Sequence, residues 1–142
     1  MLSELRVVEL LAAVGERTPA PASGSAAALT GALAAALAEL AGRFADDEDA
    51  VARAQALGTR LLELADEDAT AYTAFMTARS GETRAAIIRV PEEIATAAEE
   101  VAEIAEAVRA QLGTAVAGDA EAAGELARAA ARVAKRLVEL NL

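Results

Sequence analysis

Residues 18–40 read TPAPASGSAAALTGALAAALAEL, a proline-containing turn followed by a long run of small side chains. Ala and Leu are strong helix formers, so the run predicts a helix that begins at Ser23 or Ser25, either of which can cap it, and ends near Phe44. Its large side chains form one stripe, made of Leu29, Leu33, Leu37 and Leu40. Residues 18–38 contain no charged side chain, so the predicted helix has no polar face before Glu39. We therefore expect a thin central helix with other helices packed around it.

Apolar residues recur at helical spacing along the rest of the chain, and no segment has the alternation of a strand. Gly58 is a candidate for interrupting one long segment, and Pro91 suits the first turn of a new helix. Further helices are predicted over about 2–14, 48–79, 91–112 and 119–140, with a turn and a short helix at 80–90. The sequence therefore predicts an all-α antiparallel bundle of five to six helices, in one domain spanning residues 1–142. Its Ala-rich seams also suit a dimer of bundles.

The excess of acidic over basic residues limits the kinds of molecule that the protein can bind. The chain has 23 acidic and 13 basic residues, a formal net charge of −10 that argues against nucleic acid or an anionic membrane surface. Cysteine and histidine are both absent, which removes thiol nucleophiles, imidazole acid–base chemistry and Cys/His metal sites. We expect no metal and no cofactor, and carboxylates are then the candidates for proton transfer.

Two features bear on location. Residues 22–38 are uncharged, but they are mostly Ala, Gly, Ser and Thr, and a membrane-spanning helix is normally more hydrophobic. Glu4 and Glu9 interrupt what would have to be the apolar region of a signal peptide. We expect a cytoplasmic protein.

Four segments resemble the cyclodeaminase/cyclohydrolase family. The first is the junction of TPAP at 18–21 with GSAAAL at 24–29, and the others are LLELADEDATAYTAFMTA at 61–78, VPEEIATAAEEVAEIA at 90–105 and the final Asn141-Leu142. They occur in the family's order and span nearly the whole chain. The sequence departs from the family where Ala22 and Ser23 replace glycines, in a shortened stretch before Pro91, and in GTAVAGD at 113–119.

The resemblance implies a folate-type small molecule as ligand and a homodimer as assembly. It implies hydrolysis of 5,10-methenyltetrahydrofolate to 10-formyltetrahydrofolate, or cyclisation of 5-formiminotetrahydrofolate with release of ammonia. Because no formiminotransferase domain is attached, we expect the hydrolysis rather than the cyclisation. Neither reaction needs a metal or redox cofactor, and both need proton transfer at nitrogen and stabilisation of a cationic centre.

Two aspartates are candidate catalytic residues. Asp68 follows Asp66 and Glu67, and a carboxylate among others can have its pKa raised into a useful range. Asp119 is the acid that survives in the altered 113–119 segment. The simpler alternatives are a solvated acidic helix face for Asp68 and a helix N-cap for Asp119.

The candidate substrate-binding residues are Ser23, Gly24, Ser25, Arg43 and Tyr72. A small-residue loop at a helix N-terminus exposes backbone N–H groups, which can bind a ligand oxygen, although the same residues also suit a plain turn and cap. Arg43, like Arg60 and Arg84, could neutralise folate carboxylates or simply pair with neighbouring acids. Tyr72 has the spacing of a packing residue as well.

Two other functions remain open from the sequence. The loss of family glycines is compatible with a non-catalytic helical binding or scaffolding protein that kept the fold. A related cyclase acting on a non-folate amine or imine is the third possibility.

Overall fold

The computed structural model describes residues 1–142 and contains only helices. A 3-10 turn at Leu2–Glu4 precedes five α-helices, which are α1 (Val7–Gly15), α2 (Ser23–Phe44), α3 (Glu48–Thr77), α4 (Gly81–Arg109) and α5 (Ala117–Asn141). The first predicted helix is divided, because Leu5 and Arg6 have extended backbone conformations that separate the 3-10 turn from α1. The all-α prediction is confirmed.

Helices α2 to α5 form a four-helix bundle in which consecutive helices are neighbours and α5 closes the bundle against α2. Short connections make the neighbours antiparallel. Across the diagonal, α2 also packs against α4. Since almost every inward residue of α2 is Ala or Gly, the two backbones can approach closely.

The core side chains are divided unequally among the four helices. The largest fully buried ones lie on α3 and α4, among them Leu61, Leu64, Ile94 and Ile104. Helices α2 and α5 contribute mainly alanine. Gly31 of α2 faces Leu61, and a Cβ at position 31 would lie 3.2 Å from a Leu61 methyl group. The interior is filled by large residues from two helices packed against small residues from the other two.

Helix α2 is less enclosed than the sequence suggested. Its inner side is buried, but Leu33 is 66% exposed and Phe44 is 58% exposed, with Leu40 on the same outer face. By length and composition α2 could cross a membrane. A core helix with one buried side passes the same test, and α2 packs against three helices of the bundle.

Two predicted interruptions are wrong. Helix α3 continues through Gly58, where an added Cβ would only make ordinary contact with Ala35. Helix α4 begins at Gly81, capped by Ser80, and continues through Pro91 as a single element. Pro91 therefore lies inside a helix, and the short helix expected at 80–90 is the first part of α4.

Candidate functional site

The antiparallel topology brings four helix ends together at one end of the bundle. These are the start of α2, the end of α3, the start of α4 and the end of α5. They enclose a cavity of about 450 Å³, a size in the range of small-molecule sites. One wall is the loop from Thr18 to Ala22, in which the Ala20–Pro21 peptide bond is cis. The other walls are mostly apolar and include Met76, Ile87, Pro91, Leu137 and Leu140.

Asp68 of α3 is the only carboxylate that lines this cavity. Its side chain accepts a hydrogen bond from the backbone N–H of Ser25, in the first turn of α2. The N-cap residue Ala22 has no side-chain oxygen to offer, so a carboxylate from another helix serves the free N–H group. Gly24 makes this possible, because a Cβ at position 24 would overlap the Asp68 carboxylate.

Ser25 does not act as the predicted cap or as a ligand group. Its side chain is fully buried, and its hydroxyl donates to the backbone carbonyl of Ala65 over 2.7 Å. The bond ties the start of α2 to α3 one turn before Asp68. Ser25 is therefore a positioning residue behind the cavity, whereas Ser23 and Gly24 line it.

Burial raises the pKa of the Asp68 carboxyl to about 6, and the hydrogen bond from Ser25 opposes this rise only in part. The cause differs from the clustering of acids that the sequence suggested, because the three neighbouring carboxylates point to different partners. Asp66 accepts from the backbone N–H of Leu2, and Glu67 pairs with Arg60. Asp68 is the one that faces the cavity.

A second polar arrangement supports the wall opposite Asp68. Pro91 has no N–H group, so the carbonyl of Ile87, one turn earlier in α4, lacks its helical partner. The side-chain amide of Asn141 donates to that carbonyl over 2.9 Å. The end of α5 is thereby fixed to α4, and both Pro91 and Asn141 line the cavity.

The remaining predicted site residues divide between the two ends of the bundle. Tyr72 lies one turn after Asp68 and lines the cavity. Arg43 lies at the end of α2, far from the cavity, and pairs with Glu39 at 2.7 Å. Asp119 is in the first turn of α5, about 27 Å along that helix from the cavity residue Leu137. Within one chain, Arg43 and Asp119 cannot act with Asp68 on one small molecule.

Sequence reasoning did not identify Asn141 or Pro91 as site residues, although it noted both within family-like segments. A proline inside a helical pattern signals an unpaired carbonyl four residues earlier. It does not reveal which distant side chain satisfies that carbonyl. No group of three or more His, Cys, Asp or Glu side chains is placed to hold a metal ion.

Fold and site together define an all-α bundle protein with an end cavity that holds one half-buried carboxylate and no basic side chain. Its sequence matches the formiminotransferase-cyclodeaminase family over residues 6–142, and the chain belongs to that family.

A solved structure has the same fold. The formiminotetrahydrofolate cyclodeaminase of Thermotoga maritima superposes with a TM-score of 0.92 at 25% sequence identity, over 99% of this chain and 80% of that chain. No curated protein matches the sequence. The resemblance noted in the four sequence segments is therefore confirmed at the level of the family and the fold.

Proposed function

We propose that this protein cyclises 5-formiminotetrahydrofolate to 5,10-methenyltetrahydrofolate with release of ammonia. Family membership and the similar cyclodeaminase structure support a folate one-carbon substrate. The observation that carries the proposal is the Asp68 carboxylate, which faces a mostly apolar cavity and has a pKa of about 6. Both protonation states of such a group are populated near neutral pH, as a proton-transferring residue requires.

The reaction needs one proton to move between two nitrogens. N10 of the substrate attacks the carbon of the protonated formimino group and forms a C–N bond, and N10 then carries an extra proton. Asp68 accepts that proton and donates it to the amino nitrogen. The bond from the carbon to that nitrogen breaks, and ammonia leaves with the electron pair. The positive charge present at the start remains on the methenyl bridge, where an ionised carboxylate stabilises it.

Hydrolysis of 5,10-methenyltetrahydrofolate is the second candidate, since the same carboxylate can serve it. Water adds to the methenyl carbon, and Asp68 accepts a proton from it to leave a neutral hydroxyl adduct. The bond from the carbon to N5 then breaks with the electron pair on N5, which takes the proton held by Asp68. The hydroxyl proton is released to solvent as the 10-formyl carbonyl forms. The cyclisation is the first candidate, because the similar solved structure is that of a cyclodeaminase.

A binding protein without activity and a cyclase of non-folate amines are the remaining alternatives. The family glycines that are lost, at Ala22 and Ser23, lie beside Gly24 rather than at it. Gly24 is the position where the carboxylate requires the absence of a Cβ. The close packing of the Asp68 carboxylate on Gly24 supports a working site over an eroded one.

Purified protein supplied with each folate tests the proposal. We expect absorbance of the methenyl product to appear from 5-formiminotetrahydrofolate, with ammonia released in equal amount. Asp68→Asn is expected to lower kcat by a factor of about 10² to 10⁴, the usual range for a lost proton-transfer group. Asp119→Asn is the matched control and should leave kcat unchanged.

The outcomes separate the candidates. Turnover only of the methenyl compound assigns the hydrolysis, and turnover of neither folate with thermal stabilisation by both assigns a binding protein. Full activity in Asp68→Asn would contradict the proposed mechanism even if the reaction itself were confirmed.

We also propose that two copies of the chain associate. Helix α1 has no buried residue, and Val7, Val8 and Leu11 are each at least 65% exposed. The outer face of α2 is apolar and also unpartnered, with Leu33 and Phe44 as its most exposed members. Exposed apolar surface of this kind marks interfaces, and a chain of net charge −10 needs apolar contacts to overcome repulsion between copies.

A further inference from the structure

Most basic side chains of this acidic protein are neutralised by nearby glutamates. Ion pairs occupy Arg43, Arg60, Arg89, Arg109, Arg128, Lys135 and Arg136. Arg79 and Arg84 form no ion pair, although acidic residues outnumber basic ones by 23 to 13. Two positive charges left without a counterion at one place need a physical explanation.

Arg79 and Arg84 are held together by an aromatic ring instead of an acid. The guanidinium carbon of each lies 5.3 Å from the centroid of the Phe75 ring, a distance at which a cation is attracted to the ring face. Arg84 also donates to the backbone carbonyl of Asn141 over 3.1 Å. The other arginines outside ion pairs, which are Arg6, Arg17, Arg53 and Arg132, make neither contact.

The arginine pair adjoins the rim of the cavity. Phe75 immediately precedes the cavity residue Met76, and Asn141, to which Arg84 donates, also lines the cavity. A ring face takes up none of the N–H groups of a guanidinium. Each arginine therefore keeps donors free, in the fork geometry that suits a carboxylate.

Asp68 and the arginine pair are separated by a length that suits an extended substrate. From Asp68 to Met76 helix α3 rises about 12 Å, and Arg79 lies just beyond the end of the helix. In folate, a benzoyl ring and an amide bond lie between the reacting nitrogens and the glutamate carboxylates. The cavity itself has no basic lining residue, so a carboxylate tail has to leave it to find a positive charge.

We propose that Arg79 and Arg84, placed around Phe75 at the cavity rim, bind the carboxylates of the substrate's glutamate tail. The inference rests on the proposed folate substrate and adds the part of the protein that selects it. Arg43 and Arg60, considered from the sequence for the same task, are paired with glutamates elsewhere.

The test compares substrates with and without the tail. Steady-state kinetics are measured with 5-formiminotetrahydrofolate and with the corresponding pteroate, which lacks glutamate. For Arg79→Gln and Arg84→Gln we expect KM for the folate to rise roughly three- to tenfold with kcat nearly unchanged. Neither substitution should change KM for the pteroate. Arg53→Gln removes the same charge near the start of α3 and is the matched control.

Equilibrium binding of 5-formyltetrahydrofolate and of its pteroate analogue keeps the inference testable if no turnover is found. Weaker binding of the folate alone in the two variants, without activity in any protein, would support the tail site and overturn the proposed reaction. Activity with equal KM values in the two variants and in Arg53→Gln would overturn the tail site and leave the reaction standing. Absence of folate binding to every protein would overturn both.

Discussion

Two features of the environment of Asp68 shift its pKa in opposite directions. As the group that accepts the Ser25 N–H, it lies at the positive end of α2, which favours the ionised form. As a cavity residue it is largely desolvated, which favours the neutral form, and desolvation is the stronger effect. The balance is a carboxyl that titrates near pH 6 while its position is fixed by a backbone donor.

Asp68→Asn should make the protein more stable at neutral pH and little different at low pH. The folded state binds the Asp68 proton more tightly than the unfolded state, whose pKa is near 3.8, so the free energy of unfolding falls as pH rises from about 4 to about 6. Above pH 6 the loss is roughly 2–3 kcal/mol, and asparagine does not incur it. Urea denaturation at pH 4 and pH 7.5 measures the difference, and a gain of equal size at both pH values would contradict the assignment.

Gly24→Ala should disable the site without unfolding the protein. The new Cβ would occupy the position of the Asp68 carboxylate, and a flexible side chain can move away at little cost. We expect kcat to fall by about as much as in Asp68→Asn, with a change in unfolding free energy below about 1 kcal/mol. Gly118→Ala is the matched control, because Gly118 is also the second residue of a helix and has open space beside it. Retained activity in Gly24→Ala would remove Gly24 from the site.

At the level of residues, four of the site residues chosen from the sequence line one cavity, which are Asp68, Ser23, Gly24 and Tyr72. Their roles in catalysis and binding stay predictions, and the contacts that build the cavity were not predicted. Sequence reasoning could not say whether Asp68 and Asp119 belong to one site, because local sequence patterns do not show how α3 and α5 pack against each other. Only the packing shows that the two lie at opposite ends of the bundle.

The most informative element is α4, which continues through Pro91 because another helix repairs the break. The proline leaves the Ile87 carbonyl free, and Asn141 at the end of α5 donates to it. One contact thus joins two segments that resembled the family separately. It also fixes α4 and α5 where both border the cavity.

This contact predicts a coupling between positions 91 and 141. In the natural protein, Asn141→Ala should lower the unfolding free energy by about 1–2 kcal/mol, because the Ile87 carbonyl is left unpaired. In a Pro91→Ala background the helical N–H of residue 91 can satisfy that carbonyl. The cost of Asn141→Ala should then fall by about 1 kcal/mol in a double-mutant cycle.

The control for this cycle pairs Pro91→Ala with Leu126→Ala, which lies nearer the middle of α5. Those two substitutions should be additive within about 0.5 kcal/mol. Additivity of Pro91→Ala with Asn141→Ala would show that the Asn141 amide does not replace the missing helical bond.

At the level of elements, periodicity predicted the type of every helix and most of the boundaries. The bounds of α2 agree with the prediction, because small helix formers run without a break from the proline turn to Phe44. The prediction that a new helix begins at Pro91 was wrong. Local sequence rules include the hydrogen bond that a proline removes, but they do not include a distant side chain that replaces it. The length of the first helix was overestimated. Leu2, Leu5, Val8 and Leu11 have helical spacing, but they are divided between a 3-10 turn and α1.

At the scale of the whole molecule, the most exposed apolar side chains of α1 and of the outer face of α2 have no partner within the chain, and α5 exposes a further set. The cavity lies at one end of the bundle, and the exposed apolar face of α2 extends from the middle of the helix, at Leu33, to its other end at Phe44. The bundle core does not use this face, because α3, α4 and α5 all pack on the other side of α2. Burial of the face therefore requires something outside the bundle, and we propose a second copy.

Substitution of Leu33 should separate the two copies without disturbing the fold. Leu33 is 66% exposed, so Leu33→Arg places a charge within the proposed contact and makes no cavity in the monomer. Sedimentation equilibrium should give twice the mass of one chain for the natural protein and the mass of one chain for this variant. Val133→Arg is the control, since Val133 is 42% exposed on α5, outside the proposed contact. A natural protein that sediments as a monomer at micromolar concentration would overturn the proposal, and a dimer that persists in Leu33→Arg would move the contact away from α2.

Because the arginine pair and Asp68 belong to one chain, the monomeric variant should also keep its folate binding, and this separates assembly from the chemistry of the cavity.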